Sequence, residues 1–176
     1  MTNSNNDEKK KSREFTWKEA IIMCLWGPLL LIQLIQTFFI NNFLGLTPIF
    51  IVGLIIWGLS IYFGFVPFFT FKKRGGVAKG KSYVETTKLV DTGIYAIVRH
   101  SQFLAGILWS LAMILVTQHW LNLICGIPVM ILIYYEMIRA ENDLIKKFGD
   151  EYKEYMKKVP RANFLWGIFK YLRRKK

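Results

Sequence analysis

Two groups of polar residues stand beside long apolar runs of this sequence. Arg99, His100, Ser101 and Gln102 come directly before one run, and Glu136, Arg139 and Glu141 follow the next. Arginine and carboxylate side chains bind charged partners, and histidine takes up or releases a proton near neutral pH. These residues therefore either anchor helix ends at lipid headgroups or form a site that holds a charged molecule at the edge of the lipid.

The elements that position these groups are apolar segments long enough to cross a membrane. Of the 176 residues, 53% are apolar and 16% aromatic, and a span needs roughly 20 mostly apolar residues. We predict an all-α integral membrane fold with about four transmembrane helices in a single membrane domain, residues 17–176. The predicted spans are about 17–40, 46–71, 103–116 and 121–138, and the last two form a tight hairpin.

The basic residues predict the orientation of the chain. All 24 Lys and Arg residues lie before or at the start of the first span, between the second and third, or from Arg139 onward. Because short cytoplasmic segments are enriched in these residues, both termini and the polar site are predicted to be cytoplasmic. The net charge of +12 is explained by contact with the anionic leaflet, and nucleic acid is not an expected partner. Cys24 and Cys125 lie in different spans, so neither a disulfide nor a metal site is expected.

The two ends of the chain are predicted to lie outside the bilayer. Residues 1–16 have the composition of a disordered cytoplasmic lead. After the fourth span, apolar residues recur in steps of three and four up to Pro160, which predicts a C-terminal amphipathic helix on the cytoplasmic face. Gly149 lies in the middle of this predicted helix and weakens it by up to about 1 kcal/mol. Tyr152 and Tyr155 are expected to be packing residues.

Two linked motifs resemble a known family. LVDTGIYAIVRHSQFLAG, followed after a hairpin by AENDLIKKFGDEYKEYMKKVPR, is similar to isoprenylcysteine carboxyl methyltransferases and their phospholipid methyltransferase relatives. The resemblance covers about residues 80–161. It implies a membrane enzyme that binds S-adenosylmethionine at a cytoplasmic region formed by 80–102 and 139–161. Its implied substrate is a lipid or a prenylated small molecule or protein, with the carboxylate of a prenylated cysteine as one candidate acceptor.

The same resemblance implies the site residues. The cofactor-binding residues carried over from it are Thr87, Lys88, Leu89, Val90, Tyr95, His100, Ser101, Gln102, Phe103 and Glu141. Ser101 and Phe103 replace a proline and a tyrosine of the family pattern, and we expect the Ser101 hydroxyl to cap the third span. Ala140 replaces the first of two paired glutamates, so Glu141 or Glu136 takes the acidic role.

The candidate catalytic residues are Arg99, Glu136 and Arg139. Either arginine is a candidate to hold a substrate carboxylate, and an amine substrate would need His100 or Glu136 as a base. Methyl transfer from a sulfonium mainly requires alignment and exclusion of water. Two alternatives remain: a membrane NADPH-dependent reductase of the sterol reductase type, which has a similar R-H-P-x-Y stretch, and a non-enzymatic relative on the same scaffold.

Overall fold

The described part of the chain is entirely helical. The computed structural model describes residues 17–40, 42–76 and 87–175, except for the side chains of 17–24 and 175. The helices are α1 (Trp17–Phe39), α2 (Thr47–Arg74), α3 (Ser101–Thr117), α4 (Trp120–Phe148), α5 (Asp150–Lys158) and α6 (Phe164–Lys175), with a short 3₁₀ helix at Gly93–Ala96. The predicted lead, 1–16, and part of the predicted cofactor region, 80–86, lie outside the described residues.

Helix α3 is at the centre of the bundle and contacts α1, α2 and α4. Small residues allow this close packing. A Cβ atom added to Gly53 of α2 would lie 2.9 Å from Val116 Cγ2 and 3.0 Å from the Val116 backbone nitrogen. On the opposite side of α3, a Cβ on Gly106 would lie 2.9 Å from Ile133 Cδ1 of α4. Glycine at these seams therefore sets the helix separation.

The outer surface of the bundle is apolar. Large side chains such as Phe65, Ile124 and Ile131 are more than 60% exposed. Helices α2 and α4 are each long and apolar enough to cross a membrane, whereas α3 and the 25–39 part of α1 are shorter apolar helices. At about 1.5 Å per residue, the 28 residues of α2 extend about 42 Å, against a hydrocarbon core of about 30 Å. This exposed apolar surface favours contact with lipid.

A buried polar network joins three helices inside the bundle. The Ser110 hydroxyl of α3 donates to Gln33 Oε1 of α1 at 2.9 Å, and Gln33 Nε2 donates to the Asn122 carbonyl of α4 at 3.2 Å. All three residues are completely buried. Hydrogen bonds of this kind hold helices together where the hydrophobic effect between them is weak.

The predicted C-terminal amphipathic helix is wrong as a single element. Helix α4 continues without a break from the predicted fourth span to Phe148, and α5 begins only after Gly149. Gly149 has φ 59° and ψ −130°, a conformation that side chains with a Cβ rarely adopt. The glycine therefore separates two helices, where the periodicity of the apolar residues predicted one.

The chain after α5 folds back onto the segment before α3. The Arg99 amide donates to the Pro160 carbonyl at 3.1 Å, and the His100 amide donates to the Arg161 carbonyl at 3.2 Å. Further along, α6 approaches the Ile97 backbone so closely that a side chain on Gly167 would collide with it. We call residues 159–163 the return segment. It links α5 to α6 and lies against the two residues that precede α3.

Candidate functional site

The centre of the candidate site is Glu141, near the end of α4, with a side chain that is 4% exposed. Its Oε2 accepts hydrogen bonds from Arg161 Nη2 at 2.6 Å and Arg161 Nε at 2.9 Å. Its Oε1 lies 2.9 Å from Arg99 Nη2 and 3.4 Å from His100 Nε2. Neither Oε1 contact is aligned as a hydrogen bond, so the contact with Arg99 is an ion pair without a hydrogen bond. The structure thus brings the two polar groups of the sequence together, and we call Arg99, His100, Glu141 and Arg161 the polar cluster.

Apolar packing holds Arg99 and His100 in place. The preceding residue, Val98, is fully buried, and it packs in one core with Ile94, Tyr95 and Phe63. On the other side, the return segment binds the backbone of both polar residues. The positions of Arg99 and His100 therefore depend on two separate parts of the chain.

Ser101 has a different role from the predicted one. It is the first residue of α3, and His100 occupies the N-cap position without a side-chain hydrogen bond. The Ser101 hydroxyl donates instead to the Phe63 carbonyl of α2 at 2.8 Å. The predicted capping role is wrong because a nearby carbonyl of α2 offers the buried hydroxyl an acceptor. Ser101 joins α3 to α2.

His100 and Tyr152 are both uncharged at neutral pH. The Tyr152 hydroxyl lies 3.5 Å from His100 Nε2, and Tyr152 is 1% exposed. Burial lowers the pKa of His100, and this effect outweighs the opposing attraction of the Glu141 carboxylate. Burial also raises the pKa of Tyr152 well above its usual value. Tyr152 packs with Tyr155 and Val159 in a buried apolar cluster, as predicted for a packing residue. It also borders the polar cluster through its contact with His100.

The polar cluster has a surplus of positive charge. Two guanidinium groups, Arg99 and Arg161, share the single carboxylate of Glu141. Arg99 Nε and Nη1 are buried and have no hydrogen-bond partner among the described residues. A buried charge with unpaired donors is costly unless a partner satisfies it. Nε and Nη1 lie on different edges of the guanidinium, so each can donate one hydrogen bond to an oxygen of an anionic group such as a carboxylate, but the two donors are not parallel.

The other residues implied for cofactor binding lie in different environments. Thr87 and Lys88 are exposed, and the Thr87 hydroxyl donates to the Gly76 carbonyl at 3.0 Å. Leu89 packs against the Tyr152 and Tyr155 core, and Val90 is buried beside Tyr95. Val90 therefore presents no exposed apolar surface to a ligand.

The aromatic and first-turn residues lie nearer the polar cluster. The Phe103 ring meets the His100 ring edge-on with centroids 5.8 Å apart, and Gln102 is partly buried in the first turn of α3. The Tyr95 ring stacks on Phe71 at 4.7 Å, so one of its faces is covered. Phe103 is thus the aromatic residue of the predicted set that borders the cluster directly.

The two remaining catalytic candidates are outside the cluster. Arg139 Nη1 donates to Glu136 Oε1 at 3.0 Å, on the same helix as Glu141. The ion pairs of Glu141 in the described part of the chain are with Arg99, His100 and Arg161. Glu136 and Arg139 thus form an ion pair of their own beside these.

Arg161 was not predicted as a site residue. It makes two hydrogen bonds to Glu141, and its Nη1 donates to the Tyr134 hydroxyl at 3.1 Å. In the sequence it stands just after Pro160, at the end of the second motif. No periodic pattern indicates that the chain returns to the bundle at this point, so only its position within the motif was a signal.

The comparison with protein families agrees with these motifs. A family model described as phospholipid methyltransferase matches residues 48–151. The chain belongs to the phospholipid methyltransferase family. The matched stretch contains Arg99, His100 and Glu141, whereas Arg161 lies beyond it.

Two relatives have the name protein-S-isoprenylcysteine O-methyltransferase. The human protein is 37% identical over 81 residues, which cover 43% of this chain and 27% of the human protein. The Schizosaccharomyces pombe protein is 33% identical over 73 residues, which cover 41% of this chain and 31% of that protein. Each match therefore covers less than a third of the relative. No solved structure matches this chain significantly.

Proposed function

We propose that this protein is a membrane methyltransferase that uses S-adenosylmethionine and methylates the carboxylate of a lipophilic substrate. The observation that carries the proposal is the buried Arg99 guanidinium, whose Nε and Nη1 have no partner among the described residues. Family membership supports methyl transfer, and the names of the two relatives support a prenylated cysteine as the source of the carboxylate. Membership in this family favours methyl transfer over the reductase alternative.

The roles proposed for the cluster follow from its charges. Arg99 orients the substrate carboxylate through its two unpaired donors, while Arg161 neutralises Glu141 and keeps it in place. S-adenosylmethionine, when bound, supplies an electrophilic methyl group on a sulfonium. A carboxylate needs no base to accept a methyl group, so the neutral His100 acts by position and not by proton transfer. The surrounding apolar core excludes water, which favours a reaction between opposite charges.

The proposed cofactor contacts are His100, Phe103 and Glu141, with the exposed Thr87 and Lys88 and the partly buried Leu89 and Gln102 lining the approach, whereas Val90, Tyr95 and Ser101 are buried. Glu141 and His100 offer an acceptor and a ring nitrogen to the polar groups of the cofactor, and the Phe103 ring offers an apolar face. Glu136 and Arg139 are proposed to act outside the reaction, since they pair with each other.

We propose that α1 to α4 all cross the bilayer, that α3 and α4 form the predicted hairpin, and that both termini and the polar cluster are cytoplasmic. The lengths of α2 and α4 and the distribution of basic residues support this orientation. In this arrangement a substrate with an apolar tail reaches the cluster from within the membrane.

Cofactor affinity of the purified chain tests the proposal. Glu141→Gln and His100→Ala should each weaken binding of S-adenosylmethionine or its demethylated product about tenfold or more, because each removes a polar contact in a buried site. The matched control is Glu154→Gln, in which the wild-type carboxylate pairs with Lys157 and is 59% exposed. This control should bind the cofactor with wild-type affinity.

The methyl acceptor is identified by incubating membranes with methyl-labelled cofactor and analysing the labelled lipids and proteins. Label released by ester hydrolysis from a prenylated cysteine supports the proposal. Label on a phospholipid amine would instead assign the acceptor suggested by the family description. Saturable binding of NADPH, or binding of neither cofactor, would contradict methyl transfer.

A further inference from the structure

A groove runs between the end of α5 and one side of α6. It has a volume of about 300 Å³ and is lined by Lys157, Lys158, Trp166, Phe169, Lys170, Arg173 and Arg174. Trp166 and Phe169 stack at 5.2 Å along one wall, and the Arg173 guanidinium lies 5.5 Å from the Phe169 ring. The groove thus combines an aromatic wall with five cationic side chains.

Most of this positive charge has no carboxylate partner. In the described part of the chain, the salt bridges pair Lys157 with Glu154 at 2.6 Å and include none of the other four cations. Lys170 Nζ donates to the Lys157 carbonyl at 3.2 Å, and Arg174 Nη2 donates to the Ala96 carbonyl at 2.8 Å. These bonds hold the two side chains at the groove without neutralising them. An anionic ligand is therefore the natural occupant.

The side of α6 next to the groove is apolar and exposed. Leu165, Ile168 and Leu172 recur in steps of three and four and are 68%, 40% and 57% exposed. A helix with an apolar face and adjoining basic residues lies in the membrane interface, with its apolar face among the acyl chains. A ligand with acyl chains and a phosphate can contact both the apolar face of α6 and the basic groove. A soluble anion can contact only the basic groove.

We propose that this groove binds the phosphate headgroup of an anionic phospholipid from the leaflet on which α6 lies. The proposal requires the membrane orientation given above, but it does not require methyl transfer. Lys158, Lys170 and Arg173 contact the phosphate, and Trp166 lies at the level of the glycerol, where aromatic residues are enriched.

The test measures retention of phosphatidylglycerol and phosphatidylcholine by the full chain in detergent, using native mass spectrometry and titration with each lipid. The wild-type chain should retain phosphatidylglycerol selectively. The double variant Lys170→Gln with Arg173→Gln should bind it about thirtyfold more weakly, since each basic residue near an anionic surface contributes about a factor of five. Lys158→Gln changes an exposed residue outside the hydrogen bonds and ion pairs of the described chain, and should weaken binding about fivefold.

The matched control is Lys72→Gln with Lys73→Gln, which removes the same charge from exposed positions at the end of α2. It should bind phosphatidylglycerol within about threefold of the wild type, because diffuse attraction alone contributes little at a distance. Equal losses in both double variants, or no preference for phosphatidylglycerol, would overturn the proposal. Displacement of the lipid by millimolar inorganic phosphate or by an acidic peptide would also overturn it. Cofactor affinity is a separate measurement, so failure here leaves the proposed methyl transfer standing.

Discussion

The polar cluster depends on single charged residues, because two guanidinium groups share one carboxylate. Arg99, His100 and Glu141 were singled out because polar residues beside apolar runs are costly unless they have partners, and the structure places Arg99 Nη2 at 2.9 Å and His100 Nε2 at 3.4 Å from Glu141 Oε1. Arg161 was missed because its contact with Glu141 depends on the return of the chain after α5. Sequence periodicity predicts which residues are neighbours within one helix, but it does not predict contacts between distant segments of the chain.

The unpaired donors of Arg99 lead to a prediction about substrate affinity. In Arg99→Lys the positive charge remains, but the planar guanidinium with its unpaired Nε and Nη1 donors is lost. The KM for the carboxylate substrate should rise about tenfold, since one hydrogen bond to a charged group contributes about 1.5–3 kcal/mol. Affinity for S-adenosylmethionine should stay within about threefold, as measured by titration calorimetry.

Arg139→Lys is the comparison for this variant. Arg139 pairs with Glu136, so the same exchange there should change the KM less than threefold. A parallel loss of cofactor affinity in Arg99→Lys would show that Arg99 binds the carboxylate of the cofactor and not that of the substrate.

The positions of the helices were predicted well where an apolar run defines the helix, and poorly where backbone geometry determines where a helix ends. The four predicted spans correspond to α1 to α4 within a few residues at most ends, but α4 extends ten residues beyond the predicted 138, to Phe148. Its continuation is amphipathic, so hydropathy alone did not indicate that the helix runs on to Phe148. Gly149 then ends the helix through its positive φ, which composition alone did not indicate.

The close packing of α2 against α3 at Gly53 leads to a prediction about stability. Gly53→Ala should lower the melting temperature in a fixed detergent, at a cost of about 1–3 kcal/mol, because the new Cβ would meet the backbone of Val116. Gly58→Ala, in the same helix, meets nothing within 4 Å and should be neutral or stabilising by up to about 1 kcal/mol. Equal melting temperatures for the two variants would mean that the seam is not closely packed in the membrane.

For the whole molecule, charge distribution predicts an orientation that the helices alone do not determine. In the described part of the chain, two helices are long and apolar enough to span a membrane, whereas α3 and the 25–39 part of α1 are shorter apolar helices. The cytoplasmic location of both termini is predicted from the positions of the Lys and Arg residues. The orientation of the helices in the membrane therefore needs its own test, which is cysteine labelling from each side of the membrane.

Single cysteines in a chain with Cys24→Ser and Cys125→Ser test this orientation in sealed vesicles of known sidedness. Leu44→Cys, at a loop position that is 61% exposed, should react with an impermeant maleimide only from the non-cytoplasmic side. Asp150→Cys, where the wild-type side chain is 92% exposed, should react only from the cytoplasmic side. Reaction of both variants from one side would contradict the four-span arrangement.

The return segment has a practical consequence for work with this protein. Because Pro160 and Arg161 supply both the backbone acceptors for Arg99 and His100 and the closest cation to Glu141, the return segment is an integral part of the polar cluster. Shortened versions that stop after α5 would lack these contacts and leave the cluster incomplete. Purification tags and reporter fusions belong at the amino terminus.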